Sequence, residues 1–384
     1  MLKEINRGTF GKIYEVDDFT VVKVLENSLT TKEGLHELVI HKYITDIVDS
    51  NYVAKLLKFE VLEDNIHLYM NKAKCNIWDY IKNNNLSIIE KKDTMFKVCR
   101  CIKELHDNEI IHHDIKPGNL LMYNNNDIKI CDFGTSMVKK YNHHRISGCT
   151  IMYASYEELF SAKTFNELKV NFKTDIWALA ITLIEIYTTN SEGYYYPFST
   201  EDNEVINNIP IDDYEILIKN IDRYEDNIRL NNKYIDDPIL LDLLDNMLNL
   251  DISKRFDINQ VLNHPYFNNY SITHCFNLNI YDKTIKHIDK NVIKFFKIFH
   301  LNINGKTRYN LIKLIKYLYN EYNDIIEEGK YLNFTFLYIA AGLTYNDNLD
   351  ERIDKLSETH NIDRNILNTN IIMALQTIKF VRFI

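Results

Sequence analysis

A chain of 384 residues, 46% of them hydrophobic, exceeds one minimal core, and it can bury a sizeable interior as one large or two unequal domains. Five prolines and ten glycines leave no room for long disordered linkers, and a net charge of −9 argues against non-specific binding to nucleic acid or an anionic membrane. The six cysteines (Cys75, Cys99, Cys101, Cys131, Cys149, Cys275) show neither a CxxC pair nor metal-ligand spacing, which fits a reducing compartment.

The opening MLKEINRG has no apolar core for a signal peptide, and no uncharged run approaches a membrane span. The expectation is a soluble intracellular protein, cytoplasmic with the nucleus left open, without a nucleic-acid or membrane partner. Charge is uneven: residues 268–384 carry 15 basic and 12 acidic side chains, leaving 30 against 42 in the first 267. Abundant Asn, Ile, Lys and Tyr, all with AT-rich codons, suggest an AT-rich genome such as that of a large DNA virus or a protist.

In chain order, Ile5 to Val16 (INRGTFGKIYEV) predicts two strand arms around a tip formed by Gly8, Thr9, Phe10 and Gly11. Glycines at such a tip let backbone amides approach phosphate oxygens; an ordinary hairpin turn is the plainer alternative. TVVKVL (Thr20 to Leu25) reads as a third strand carrying Lys23, which needs a carboxylate to hold it against phosphates. Helical periodicity over Lys32 to Ile47 offers Glu37, followed by Val39, Ile40, Tyr43 and Ile44 on an apolar face, with Glu33 one turn earlier as its rival. Strands are expected over Val53 to Leu62 and Asn65 to Met70, then a helix over Lys91 to His106, where Cys99 and Cys101 serve packing.

The stretch Ile111 to Leu121, IHHDIKPGNLL, then sets Asp114, Lys116 and Asn119 on one short loop closed by Pro117 and Gly118. A carboxylate there can deprotonate an attacking hydroxyl, the ammonium can hold a transferring phosphate, and the amide oxygen can bind magnesium. After a short strand, Ile128 to Ile130, comes Cys131-Asp132-Phe133-Gly134, where Asp132 sits as a second metal ligand on a movable segment would.

These residues resemble the eukaryotic-type protein kinase family, serine/threonine branch, whose catalytic loop reads His-Arg-Asp-Leu-Lys-Pro-x-Asn. The resemblance spans residues 5 to 267, and Asp114 and Asp132 stand 18 residues apart, as is usual in the family. It implies an α+β, two-lobed fold: a small β-rich N-lobe (1–72) and a larger helical C-lobe (73–267). It also implies ATP and Mg²⁺ as cofactors and proteins as substrates. The glycine motif becomes a nucleotide cradle of Ile5, Asn6, Arg7, Gly8, Thr9, Phe10, Gly11 and Ile13, with Asn6 replacing the family's first glycine. Asparagine tolerates positive φ, which makes this a mild departure. The piece after the fifth strand becomes the adenine hinge, Tyr69 guarding the back pocket and Met70 to Lys72 supplying backbone contacts.

Further on, Thr150 to Glu157 resembles the family's Thr-x-x-Tyr-x-Ala-Pro-Glu, with Ser155 and Tyr156 in place of Ala-Pro. The resemblance pairs Glu157 with Arg255 and places Asp175, on a wholly buried helix, against the catalytic-loop backbone. His113 stands where the family has an arginine that binds a phosphate on the activation segment. Imidazole does not replace a bidentate cation and is largely neutral at neutral pH, so activity is expected not to require phosphorylation, although Ser147, Thr135 and Ser136 offer hydroxyls. His143 and His144 read as a solvated loop, with no ligand partner at suitable spacing. The departures also support a rival, a pseudokinase that binds nucleotide or partners as a scaffold.

The last 117 residues lack proline and hold only Gly305, Gly329 and Gly342. Apolar residues recur at helical spacing, including Leu311 to Leu318, Phe336 to Leu343 and Ile371 to Ile378. An all-helical domain over 268–384 is expected. Its order and character weakly resemble a cyclin box, which would regulate the catalytic part in cis; a generic helical extension is the alternative.

Overall fold

The computed structural model describes residues 3–8, 11–26, 32–47, 50–63, 65–138, 150–164, 170–190, 193–198, 205–206, 214–222, 230 and 233–268. The expectations for Thr9, Phe10, His143, His144, Ser147 and the helical domain past residue 268 lie outside this set.

Alternating and β-branched segments build a five-stranded antiparallel sheet in the order β1-β2-β3-β5-β4: β1 (Lys3–Gly8), β2 (Gly11–Glu15), β3 (Thr20–Leu25), β4 (Leu56–Leu62) and β5 (Asn65–Asn71). One helix, α1 (Lys32–Ile47), packs on it through buried Leu35, Leu38, Val39, Ile40 and Ile44. Strand β4 starts at Leu56 and not at Val53, because the preceding residues bond elsewhere. Val53 bridges Ile130, Ala54 donates its N–H to Ile130 O and Ile130 donates to Tyr52 O, so this link ties the sheet to the helical half.

That half is organised around α3 (Ile88–Asp107) and α5 (Phe172–Thr188). Helix α3 begins three residues before the periodicity predicts, since Ser87 and Glu90 form a capping box that satisfies its first amides. Its inner face carries Met95, Val98, Cys99, Ile102 and Leu105; burial pushes the Cys99 and Cys101 thiols up, keeping them as packing groups. Helix α5 is buried throughout Thr174 to Tyr187, its mostly apolar run carrying Asp175 and Glu185 inside with it.

Around this pair lie α2 (Ile77–Asn83), α4 (Tyr156–Thr164), α6 (Tyr214–Asp222), α7 (Pro238–Met247) and α8 (Ile258–Leu262). Short strands frame the loops: β6 (Cys75–Asn76), β8 (Leu120–Met122) and β9 (Ile128–Ile130) form one sheet, while β7 (Ile110–Ile111) pairs with β10 (Met137–Val138). The result is an α+β arrangement with strands segregated from helices, and the residues expected to carry chemistry lie where the two halves meet.

Candidate active site

On the sheet side, β1 and β2 register Arg7 with Lys12 and Gly8 with Gly11. Gly11 is required by space: a Cβ there would lie 2.5 Å from Val24 O on β3. Asn6 does not use the positive φ argued for it. It adjoins a bulge in the β1–β2 register, and its Oδ1 accepts the Arg7 N–H at 2.8 Å. Arg7 Nε in turn reaches Glu4, and Ile5 is exposed. Ile13 pairs in register with Lys23, placing both side chains on one face.

Lys23 Nζ donates to Glu37 Oε1 at 2.6 Å and to Asp132 Oδ1 at 2.9 Å. Burial alone would lower the lysine's pKa, but the two carboxylates outweigh it and hold the ammonium protonated. Glu37 moves against what its ion pair would dictate, because complete burial pushes it up to about 7 despite Lys23. Its Oε2 is buried with no hydrogen-bond partner among the described residues. The side chain of Glu33 lies outside the described set, and Glu37 is the glutamate at Lys23.

Across the cleft, Asp175 at the start of α5 shapes the loop from below. Its oxygens accept the His112 and His113 N–H groups at 2.9 Å each, and His106 Nε2 at 2.9 Å. Burial would raise the Asp175 carboxyl, but these donors pull it below its ordinary value. His112 Nδ1 accepts the Asp114 N–H at 3.3 Å, so Nε2 carries the proton that goes to Cys131 O at 3.0 Å. That bond ties the loop to the residue preceding Asp132.

Asp114 then collects four groups. Thr150 Oγ1 donates to Oδ1 at 2.8 Å and the Thr150 N–H at 3.1 Å; Lys116 Nζ and Asn119 Nδ2 reach Oδ2 at 2.8 and 2.9 Å. Lys116 Nζ also donates to Thr150 Oγ1 at 2.7 Å, so one hydroxyl already sits between the carboxylate and the ammonium. With its amide nitrogen committed, Asn119 offers its oxygen. The Cys131 N–H donates to Asn119 O at 2.9 Å, which brings Asn119 and Asp132 side by side. Their oxygen donors suit a hard divalent cation shared with phosphate.

Register corrects the hinge. Lys23 pairs with Leu68 and Val21 with Met70, so Met70, not Tyr69, shares the Lys23 face. Tyr69 points the opposite way, its hydroxyl on Glu60 Oε2 at 2.7 Å and its ring under Lys58, and cannot guard the back pocket. The Lys72 N–H is also committed, to Phe19 O at 2.7 Å, while Nζ pairs with Glu15. Two of the proposed hydroxyls fail as well. Thr135 and Ser136 are buried, and both donate to His112 O at 3.1 Å.

With this geometry established, comparison with known proteins is decisive at the family level. The model of the protein kinase domain matches residues 1–267. The chain belongs to the protein kinase family. The kinase is 24% identical over 335 residues (80% of this chain, 63% of the other) to the Dictyostelium discoideum protein named probable serine/threonine-protein kinase glkA. It is 26% identical over 302 residues to Arabidopsis thaliana mitogen-activated protein kinase 7, covering 69% of this chain and 77% of the relative. Against zebrafish (Danio rerio) serine/threonine-protein kinase 10 it is 27% identical over 195 residues, 48% of this chain and 20% of the relative. The chain thus spans less than two thirds of the amoebal relative's length.

Two buried carboxylates beside this site, Glu158 and Glu185, escaped the sequence reading. Glu158 accepts His113 Nε2 at 2.8 Å, although an acidic residue after Glu157 looks like a solvated helix start. Glu185, in the middle of an apolar run, holds the Tyr153 hydroxyl at 2.8 and 3.0 Å, and burial pushes its carboxyl up to about 8. Arg255 pairs with Glu157 in a fork, at 2.7 and 2.9 Å. Among the described residues no helix is long and apolar enough to cross a membrane.

Proposed function

We propose that this kinase domain is catalytically competent, transferring the γ-phosphate of ATP to serine or threonine hydroxyls of proteins with magnesium bound at Asn119 and Asp132. The observation that carries this reading is the single hydroxyl, Thr150 Oγ1, donating to Asp114 Oδ1 while accepting from Lys116 Nζ. An acceptor hydroxyl entering this corner meets a base for its proton and a cation for the phosphate it attacks. Lys23, fixed by Glu37, supplies a second cation for the nucleotide's phosphates; Asn119 and Asp132 would hold the magnesium ion, which would supply charge neutralisation for the transferring group. Ile13 and Met70, on the Lys23 face, border the nucleotide side, with Gly8 and Gly11 at the tip. A cyclin-like domain beyond residue 268, acting in cis on α1, remains part of the proposal.

The test is transfer of labelled γ-phosphate from ATP and Mg²⁺ to casein by the full chain and by Asp114→Asn. A loss of about 10²-fold or more with unchanged ATP binding is expected. Tight ATP binding without transfer by the wild type would replace this reading with a nucleotide-binding scaffold.

A further inference from the structure

His113, Ser155 and the residue after Glu157 are three places where charge and polarity stand in unusual company. The structure joins them. His113 is buried, with a left-handed backbone (φ 67°) that a non-glycine residue holds only when its surroundings impose it. Its N–H is fixed by Asp175 Oδ1, and its Nε2 donates to Glu158 Oε1 at 2.8 Å. The other Glu158 oxygen accepts the Ser155 N–H and hydroxyl, both at 2.7 Å. All three residues are nearly solvent-free: 7% exposed for His113, 0% for Ser155 and 2% for Glu158.

These bonds close a ring. Asp114 holds Thr150 at one end of the segment 150–155; Ser155 at the other end is held by Glu158, and Glu158 holds His113, one peptide bond from Asp114. A cleft lined by Asp114, Thr150, Tyr153, Glu158 and Asp175 lies inside it. We propose that Glu158 is a positioning residue which, through His113 and Ser155, locks the Asp114 loop against the acceptor-binding segment, so that the partner of residue 113 is supplied permanently by α4. This rests on Asp114 acting as the base.

A buried pair of this kind carries a pH signature. The charged groups facing the imidazole are Asp114 on its own loop, Glu158 on α4 and Asp175 on α5. Burial alone would lower the histidine's pKa, but the Glu158 hydrogen bond and charge, with Asp175 and Asp114, raise it above its ordinary value. The charged pair is therefore complete below the unfolded histidine's value of ~6.5 and is lost as pH rises through the higher folded value. Arginine at 113 would stay charged throughout.

The experiment measures kcat and KM for ATP with casein as acceptor, across pH, for wild type, Glu158→Gln and His113→Arg, with thermal melts to confirm folding. Glu158→Gln should lower kcat about 10-fold or more at unchanged KM. His113→Arg should keep turnover and lose the alkaline decline of the wild type. Folded Glu158→Gln with wild-type kcat, or His113→Arg with the same alkaline decline, overturns the positioning role alone. If Glu158→Gln does not fold, His113→Arg decides by its pH profile. A wild type that binds ATP without transferring phosphate overturns the catalytic reading and this inference with it.

Discussion

Lys23 and Lys116 both end on carboxylates within hydrogen-bonding distance, yet they occupy different solvents. Lys23 and Glu37 are 6% and 3% exposed, and Lys23 bonds two acids at once; Lys116 is 25% exposed and shares its ammonium between Asp114 and a threonine hydroxyl. A dry pair holds geometry and suffers when either partner is removed, because the survivor stays buried and uncompensated. A half-wet pair contributes little stability and leaves its charge available to an incoming group. Under the proposed function, the contrast separates the positioning side of the cleft from the reacting side.

The sharpest way to break it is to remove each lysine. Lys23→Met should cost about 3–5 kcal/mol of stability, as Glu37 and Asp132 are left together without a cation. Lys116→Met should cost under about 1 kcal/mol but reduce turnover about 10²-fold. Urea denaturation alongside phosphate transfer reads both, and equal stability losses would erase the distinction.

Glu185 extends the dry extreme, since its carboxylate is met by the Tyr153 hydroxyl where Glu37 is met by a lysine. Its folded pKa, about 8, lies above the ordinary 4.5. Its contribution to stability is therefore fully present below pH 4.5 and is lost as pH rises through about 8. Glu185→Gln should flatten that slope and be the more stable form at alkaline pH by on the order of a few kcal/mol, as melting across pH would record.

Crowding on the sheet predicts a smaller effect. Gly11→Ala would press a methyl onto Val24 O and should destabilise by about 1–3 kcal/mol, measured by the denaturation midpoint. Smallest of all is Tyr69→Phe, which removes only the bond to Glu60, at about 1 kcal/mol or less, and should leave ATP binding unchanged. Met70→Ala, on the opposite face, should instead admit an ATP analogue bearing a bulky N6 substituent. If Tyr69→Ala opens the pocket and Met70→Ala does not, the assignment of faces is wrong.

The hinge shows where sequence reading runs out. Tyr69 and Met70 are neighbours, and only the pairing of β3 with β5 says which one faces Lys23, because a one-residue change of register reverses every side chain. Backbone contacts impose no residue type, so the commitment of the Lys72 N–H to Phe19 O left no trace in composition. The hydroxyls of Thr135 and Ser136 likewise looked available until burial turned them toward His112 O.

What the sequence determined by itself was which residues are proposed for the chemistry and their order along the chain. The proposed base, two cations and two oxygen ligands call for those residue types, and local spacing put Asp114, Lys116 and Asn119 on one loop, with strand β3, helix α1 and strand β9 readable from periodicity. What only the tertiary structure decided was company. Lys23 meets Asp132 across 109 positions and His113 meets Glu158 across 45. Periodicity reports the face a residue turns inward; it carries no record of which distant face closes over it, and that closure sets the dielectric in which each charge acts.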